Sequence, residues 1–257
     1  MKIYVLLKRT FDTEEKIVIE NGKINEDSAE YIINPYDEYA IEEAIQLRDD
    51  HGGEVTVITV GEAEAEKQLR TALAMGADKA VMIETEDLEE EIDAYSTAVI
   101  LAVYLKDQAP DLILCGNVAV DGGSGQVGPQ VAEHLGFPQV TTITKLDVNG
   151  KLATIVRDVE GDQEIIEVSL PVLVTAQQGL NEPRYPSLPG IMKAKKKPLE
   201  RLDLEDLNLE EEEIIAKTKT IEITLPPKKQ AGRLIDGTVK EQVSELISLL
   251  KTDAKVI

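Results

Sequence analysis

The sequence predicts an α/β fold: a parallel sheet with helices on both faces, a small antiparallel sheet, and an extended C-terminal arm that ends in a helix. Three observations predict it. Short apolar runs alternate with segments of helical length up to residue 136, which is typical of parallel sheets. Beyond Pro138, alternating apolar residues around an Asn149-Gly150 turn indicate antiparallel strands. After residue 200 the chain is acidic until a last amphipathic stretch.

The elements of the parallel part can be assigned in order. Residues 2–8 are rich in β-favouring side chains, and Asn21-Gly22 between apolar positions predicts a hairpin. Asn34-Pro35 predicts a helix start, because asparagine caps helices well and proline suits their first position; Gly52-Gly53 ends that helix. The alternation continues with a strand at 54–60, a helix that stops at Gly76, a strand at 79–84, a helix at 94–108, a strand at 111–116 and a helix at 130–136.

The remaining chain divides at residue 200. Residues 171–176 are apolar enough to return to the main sheet, and residues 1–200 form one predicted α/β domain. Residues 201–257 form a predicted arm. Its last helix should bury an apolar face made of Val239, Val243, Leu246, Ile247 and Leu250.

Composition excludes several classes of protein. The 257 residues carry a net charge of -22, which argues against binding to nucleic acid. One cysteine, Cys115, and two histidines cannot supply a disulfide framework or a structural zinc site. The longest uncharged apolar run, 98–105, is too short to span a membrane, so we expect no membrane insertion and a cytoplasmic protein.

A glycine-rich loop predicts a nucleotide or phosphate site. Neither GxGxxG after the first strand nor a P-loop motif is present, but Gly122, Gly123, Gly125 and Gly128 follow the strand at 111–116. Glycines let backbone amides approach a ligand closely, and the next helix would direct the positive end of its dipole there. Asp121 could hold a metal or, more in keeping with the sequence, a ribose hydroxyl. The alternative is a loop whose glycines only close a turn.

No catalytic constellation is present in the sequence, because GxSxG, HExxH and a supported serine-lysine dyad are all missing. Cys115 ends a buried strand and is interpreted as a small hydrophobic residue. The prediction is a protein that binds and positions and is not an enzyme.

Four stretches together resemble the β subunit of electron-transfer flavoprotein. They are NPYDEYAIEEA (34–44), RTALAMGADKA (70–80), DGGSGQVGP (121–129) and LNEPRYPSLPGIMKAKKK (180–197), the last being the most specific. The resemblance covers essentially the whole chain. It implies an α/β fold like that of the adenine-nucleotide α-hydrolases, without their activity.

The resemblance also implies cofactors and partners. AMP would bind in this subunit in a structural role, and FAD would be held mainly by an α subunit in a heterodimer, on which the arm 201–257 would pack. Electrons would arrive from acyl-CoA and related dehydrogenases and leave to a quinone oxidoreductase or another acceptor. Two alternatives stay open: a bifurcating-type β subunit that carries its own FAD, and an adenine-nucleotide hydrolase.

Residue by residue, the resemblance assigns two sites and one flavin contact. Tyr36 would approach the FAD of the partner, and Leu188 would be the apolar tip of a recognition loop spanning 180–197. Where other members carry bulkier residues, this chain has Gly122-Gly123-Ser124-Gly125, so backbone amides should dominate the contacts. The AMP site would comprise Leu6, Asn34, Pro35, Tyr36, Asp37, Val60, Gly116, Asp121, Gly122, Gly123, Ser124, Gly125, Gln126 and Val127. The docking residues would be Pro183, Arg184, Tyr185, Leu188, Pro189, Ile191 and Met192.

The same recognition loop concentrates lysines at its C-terminal end. Lys193, Lys195, Lys196 and Lys197 are predicted to form a basic stem that returns to the domain. The alternative interpretation is a solvated helix end or linker.

Overall fold

The structure, a computed structural model, describes residues 1–26, 29–86, 88, 91–229 and 231–257. It divides into Met1–Ile221 and Glu222–Ile257, so the first unit ends later than the predicted boundary at residue 200. The elements are β1 (Lys2–Leu6), β2 (Arg9–Phe11), β3 (Ile19–Glu20), β4 (Lys23–Ile24), β5 (Tyr31–Ile33), α1 (Pro35–His51), β6 (Glu54–Gly61), α2 (Glu66–Met75), β7 (Lys79–Glu84), α3 (Ala94–Gln108), β8 (Leu112–Gly116), α4 (Val127–Leu135), β9 (Gln139–Asn149), β10 (Leu152–Val159), β11 (Asp162–Ser169), β12 (Val172–Ala176), α5 (Leu188–Ala194), β13 (Leu199–Leu202) and α6 (Val239–Thr252).

One large sheet organises the first unit. Among the described residues it has nine strands in the order β11-β10-β9-β12-β8-β1-β6-β7-β13. β1 runs parallel to both β6 and β8. β12 returns to the main sheet, as predicted, and lies between β8 and β9. The antiparallel strands β9 to β11 extend this same sheet. The predicted α/β fold is therefore confirmed, with its antiparallel part continuous with the parallel part.

Alternate residues of β1 enter different cores. Ile3 and Val5 face a buried cluster together with residues of α1 and α2, whereas Tyr4 and Leu6 face a second cluster with residues of α3 and α4. This period of two is what a strand shows when helices cover both faces of its sheet. α1 packs on the sheet through four fully buried residues at helical spacing: Ala40, Ile41, Ala44 and Ile45.

Short elements show what periodicity finds and what it misses. The hairpin predicted at Asn21-Gly22 is confirmed, because β3 and β4 pair antiparallel and both turn residues have positive φ. β13 was not predicted, although it pairs parallel with β7 at the edge of the sheet. Pro198 precedes β13 and charged side chains interrupt it, so its sequence resembles the acidic arm.

α4 lies unusually close to the sheet. It begins at Val127, earlier than predicted, and includes Gly128. A Cβ atom at Gly128 would lie 2.6 Å from Cys115 Sγ and 3.3 Å from Thr175 Cγ2. Gly128 therefore lets the helix backbone pack directly on β8 and β12, which is a structural role for one of the loop glycines.

The unit Glu222–Ile257 contains α6, whose start is a capping box between Thr238 and Glu241. In the chain by itself the apolar face predicted for this helix is exposed, and its covering by a partner subunit stays a prediction. Val239 is 76% exposed, and Val243, Leu246 and Ile247 are exposed as well. Within the described part of this unit, α6 has no second helix or strand against which to bury that face.

We expect Gly128→Ala to lower the free energy of unfolding by about 1–3 kcal/mol, because the added methyl group overpacks the contact between α4 and the sheet. Equilibrium urea unfolding followed by circular dichroism would measure this. Gly122→Ala is the control, since a Cβ there meets nothing within 4 Å. Equal stabilities of the two variants would contradict the close packing of α4.

Candidate functional site

A cavity of about 460 Å³ opens where β1, β6 and β8 end. Its volume lies within the range of small-molecule sites, and the carboxyl ends of parallel strands are where open α/β sheets bind ligands. Predicted site residues that line it are Leu6, Asn34, Asp37, Val60, Gly116, Gly122, Gly123, Ser124, Gly125, Gln126 and Val127. Pro35, Tyr36 and Asp121 do not line it, although Tyr36 lies beside Gly116.

Asn34 holds the glycine-rich loop in place. It occupies the N-cap position of α1 as predicted, but its side chain makes no capping hydrogen bond. Its Nδ2 donates to the Val118 carbonyl oxygen and to Asp37 Oδ1, each at 3.0 Å, and its Oδ1 accepts from Val120 N at 3.2 Å. The asparagine therefore connects the start of α1 with the loop that follows β8.

Asp37 joins the ends of two strands. This buried carboxylate accepts hydrogen bonds from Lys8 N at 2.7 Å and from Gly116 N at 2.8 Å. Burial raises the pKa of Asp37 to about 6, and hydrogen bonds from Lys8 N, Asn34 and Gly116 N only partly offset that effect. The residue is thus poised between charged and neutral forms in mildly acidic solution.

Gly116 makes this arrangement sterically possible. A Cβ atom at this position would lie 2.4 Å from Asp37 Oδ1 and 2.6 Å from Tyr36 Cβ. Like Gly128, it is therefore a glycine for reasons of packing. In the centre of the loop, by contrast, Gly123 and Gly125 have φ values of +67° and +60° that favour glycine, while Gly122 has neither a left-handed φ nor a neighbour within 4 Å.

Three charged residues that line the cavity were not predicted from the sequence: Lys8, Glu62 and Asp93. Lys8 lines it, and its Nζ lies 2.8 Å from the carboxylate of Asp121. Asp93 also lines it and caps α3, with Oδ1 accepting from Tyr95 N and Ser96 N. The Asp-x-x-Ser spacing at 93–96 is a capping signal that the sequence did contain.

The second oxygen of Asp93 ties the end of the first unit to the cavity wall. Oδ2 accepts from Lys217 N and Thr218 N, each at 2.8 Å. Burial opposes ionisation of Asp93, yet hydrogen bonds from Ser96 and Thr218 hold the pKa of that carboxyl well below its usual range. One carboxylate therefore fixes both the first turn of α3 and residues 217–218.

The predicted recognition loop, residues 180–197, is named the docking segment. It presents apolar side chains to solvent. Tyr185 is 94%, Leu188 80% and Met192 73% exposed. Within the predicted loop, Leu188–Ala194 form the short helix α5, which Ser187 caps because its Oγ accepts from Gly190 N. Of the remaining predicted docking residues, Pro189 and Ile191 are exposed, Pro183 is half-buried, and the Arg184 side chain pairs with Glu42.

The four lysines of the segment are not alike. Lys193, Lys195 and Lys196 are exposed, while Lys197 Nζ donates to the carbonyl oxygens of Leu73 and Ala77, at the end of α2. Among these lysines, it is the Lys197 side chain that connects the stretch to the domain.

Comparison with known proteins agrees with the architecture. The family described as "Electron transfer flavoprotein domain" matches residues 21–207. The chain is 66% identical over 257 residues to the electron transfer flavoprotein subunit beta of Bacillus subtilis, and both chains are covered in full. This chain belongs to the electron transfer flavoprotein family. The resemblance found in the sequence is thereby confirmed.

More distant relatives extend the match. The electron transfer flavoprotein subunit beta of Syntrophomonas wolfei is 41% identical, with 100% of this chain and 98% of that protein covered. The mitochondrial electron transfer flavoprotein subunit beta of Arabidopsis thaliana is 36% identical over 262 residues, with both covered in full. β subunits of this family are electron-transfer proteins and not enzymes of the usual kind.

Two features are absent from the described part of the chain. No helix there is long and apolar enough to cross a membrane. No cluster of three or more histidine, cysteine, aspartate or glutamate side chains there could hold a metal ion.

Asp37 should make stability depend on pH. Its folded pKa of about 6 lies above the unfolded value, so the protonated form favours folding. That contribution is complete below about pH 4 and is lost as the pH rises through 6. We expect the difference in unfolding free energy between wild type and Asp37→Asn to fall by at most about 3 kcal/mol from pH 4 to pH 7. Urea titrations at several pH values would measure it, and parallel profiles would contradict the shifted pKa.

Proposed function

We propose that this chain is the β subunit of a heterodimeric electron transfer flavoprotein of the cytoplasm. It binds AMP in the cavity, pairs with an α subunit that holds most of the FAD, and docks dehydrogenases such as acyl-CoA dehydrogenases at Leu188. Electrons then leave to a quinone oxidoreductase. The observation that carries the proposal is the pairing of a glycine-lined cavity at the strand ends with an exposed apolar tip, in a chain of this family.

Gly122 supports a nucleotide in the cavity. Nothing in the protein itself requires glycine there, because its φ is ordinary and a Cβ would meet no atom within 4 Å. A ligand that approaches the backbone closely does provide a reason for it. The N-cap of α4, Gln126, and its first two residues, Val127 and Gly128, also line the cavity, so the dipole of this helix favours a phosphate at this wall.

The docking segment supports a partner-binding role. Clusters of exposed, large apolar side chains mark interaction sites. Tyr185, Leu188 and Met192 form such a cluster within eight residues of the chain. A leucine that enters an apolar pocket contributes roughly 1.5–3 kcal/mol, which suits a transient electron-transfer contact.

The nucleotide content of the heterodimer tests the cavity. Denaturing the purified complex and quantifying the released nucleotides should give one AMP and one FAD per heterodimer. Gly125→Val should release much less AMP, because a branched side chain at φ +60° distorts the loop that would cradle the phosphate.

The matched control for this loop variant is Gly136→Val. It has a similar φ of +66° but ends α4 outside the cavity, so AMP content should stay at the wild-type value. Two FAD with no AMP would instead indicate a β subunit that carries its own flavin. Full AMP retention in Gly125→Val would remove the glycine loop from the site.

Leu188→Ala tests the docking role. We expect kcat/KM for electron transfer from a reduced dehydrogenase to fall roughly ten- to hundredfold, because the leucine contributes its burial free energy only in the complex. Flavin content and heterodimer stability should not change. Ile165→Ala, which alters an equally exposed aliphatic side chain on β11, is the control. Unchanged transfer in Leu188→Ala would show that the leucine is not a docking residue.

A further inference from the structure

Residues 181–184 form the N-terminal stem of the docking segment, and this stem is fastened to α1. Asn181 Nδ2 donates to the Tyr39 carbonyl oxygen at 3.0 Å and to Glu43 Oε2 at 2.9 Å. Three residues later in the chain, Arg184 pairs with Glu42. Two consecutive carboxylates of α1, both buried, therefore hold the stem before the exposed tip begins.

The contact between Arg184 and Glu42 is bidentate. Arg184 Nε donates to Glu42 Oε2 at 2.7 Å and Nη2 donates to Oε1 at 2.9 Å, while the Arg184 backbone N–H adds a bond of 3.2 Å. Glu42 is only 4% exposed. Burial opposes its ionisation, but hydrogen bonds from Arg184 and Gln46 outweigh that effect and lower its pKa. Charge-assisted bidentate pairs of this kind fix orientation as well as distance.

The C-terminal part of the docking segment, residues 190–197, is fastened to α2. A Cβ atom at Gly190 would lie 2.5 Å from the Ala74 carbonyl oxygen, so α5 lies directly on the end of α2. Arg70 Nη1 donates to the carbonyl oxygens of Ala194 and Lys197, at 3.0 and 3.1 Å. The exposed tip thus projects from a segment that is held on both sides.

We propose that Arg184 and Glu42, assisted by Asn181, are positioning residues for electron transfer: they hold the docking segment in its binding-competent pose without contacting the dehydrogenase. The proposal rests on the docking role of Leu188. A partner binds only the molecules whose segment is in that pose, so the apparent affinity falls in proportion to the populated fraction. Without the pair, the stem regains backbone freedom and that fraction drops.

Steady-state electron transfer from a reduced acyl-CoA dehydrogenase to the heterodimer tests the proposal. For Arg184→Ala we expect KM for the flavoprotein to rise roughly tenfold, as for the loss of one charge-assisted pair, with kcat unchanged. Arg184→Lys should lie between this variant and wild type. Flavin content and reduction by dithionite should not change. Lys106→Ala, an exposed site on α3, controls for the loss of one positive charge.

Glu42→Gln separates positioning from direct contact. Glu42 is buried beneath Arg184 and cannot reach a dehydrogenase, so an increase in KM for this variant supports positioning. The double variant Arg184→Ala/Glu42→Gln should have the same KM as Arg184→Ala, because both changes break the same pair. A raised KM in Arg184→Ala together with a wild-type KM in Glu42→Gln would mean that Arg184 contacts the partner, and would overturn the inference.

Hydrogen exchange of the heterodimer without dehydrogenase provides the independent measurement. Amides of 187–194 should exchange faster in Arg184→Ala and Glu42→Gln, but at the wild-type rate in Leu188→Ala. A lower kcat or flavin content in Arg184→Ala would indicate a general folding role and overturn the inference. If Leu188→Ala slows transfer while Arg184→Ala has a wild-type KM, positioning fails and docking stands. If Leu188→Ala has no effect, the docking proposal fails and the inference fails with it.

Discussion

The buried carboxylate of Asp37 is the contact on which the rest of the site depends. It accepts backbone N–H groups from the ends of β1 and β8, strands that are adjacent in the sheet but far apart in the chain. A neutral side chain of the same shape could not accept both N–H groups as strongly. Gly116 is a glycine because this carboxylate and the first turn of α1 occupy the space where its side chain would be. The position of the glycine-rich loop follows from that constraint.

α1 serves both candidate sites. Its first turn forms one wall of the cavity through Asn34 and Asp37, and its middle holds the docking segment through Glu42 and Glu43. The helix packs on the sheet with fully buried residues, so it is a rigid support for both. Nucleotide and docking partner would therefore be positioned relative to the same element, separated by about two turns of helix.

Local patterns in the sequence were sufficient for most of the fold but only part of the site. Strand alternation, the helix start at Asn34-Pro35 and the Asn21-Gly22 turn depend on neighbouring residues, so they could be predicted. The contacts of Asp93 with residues 217–218 and of Arg184 with Glu42 join positions more than 120 residues apart, and no local pattern reveals such pairing. The glycines show the same limit: Gly122 and Gly128 look equivalent in the sequence, but only Gly128 is explained by packing.

The run of lysines at the end of the docking segment has unequal tolerance to substitution. Lys197 places a slender ammonium group between two carbonyl oxygens at the end of α2, and burial there lowers its pKa. Arginine would bring a broad planar group to the same narrow space, so this exchange is not conservative. Lys195 and Lys196, by contrast, are exposed to solvent. Contacts within the chain therefore constrain the side chain of Lys197 more than those of Lys195 and Lys196.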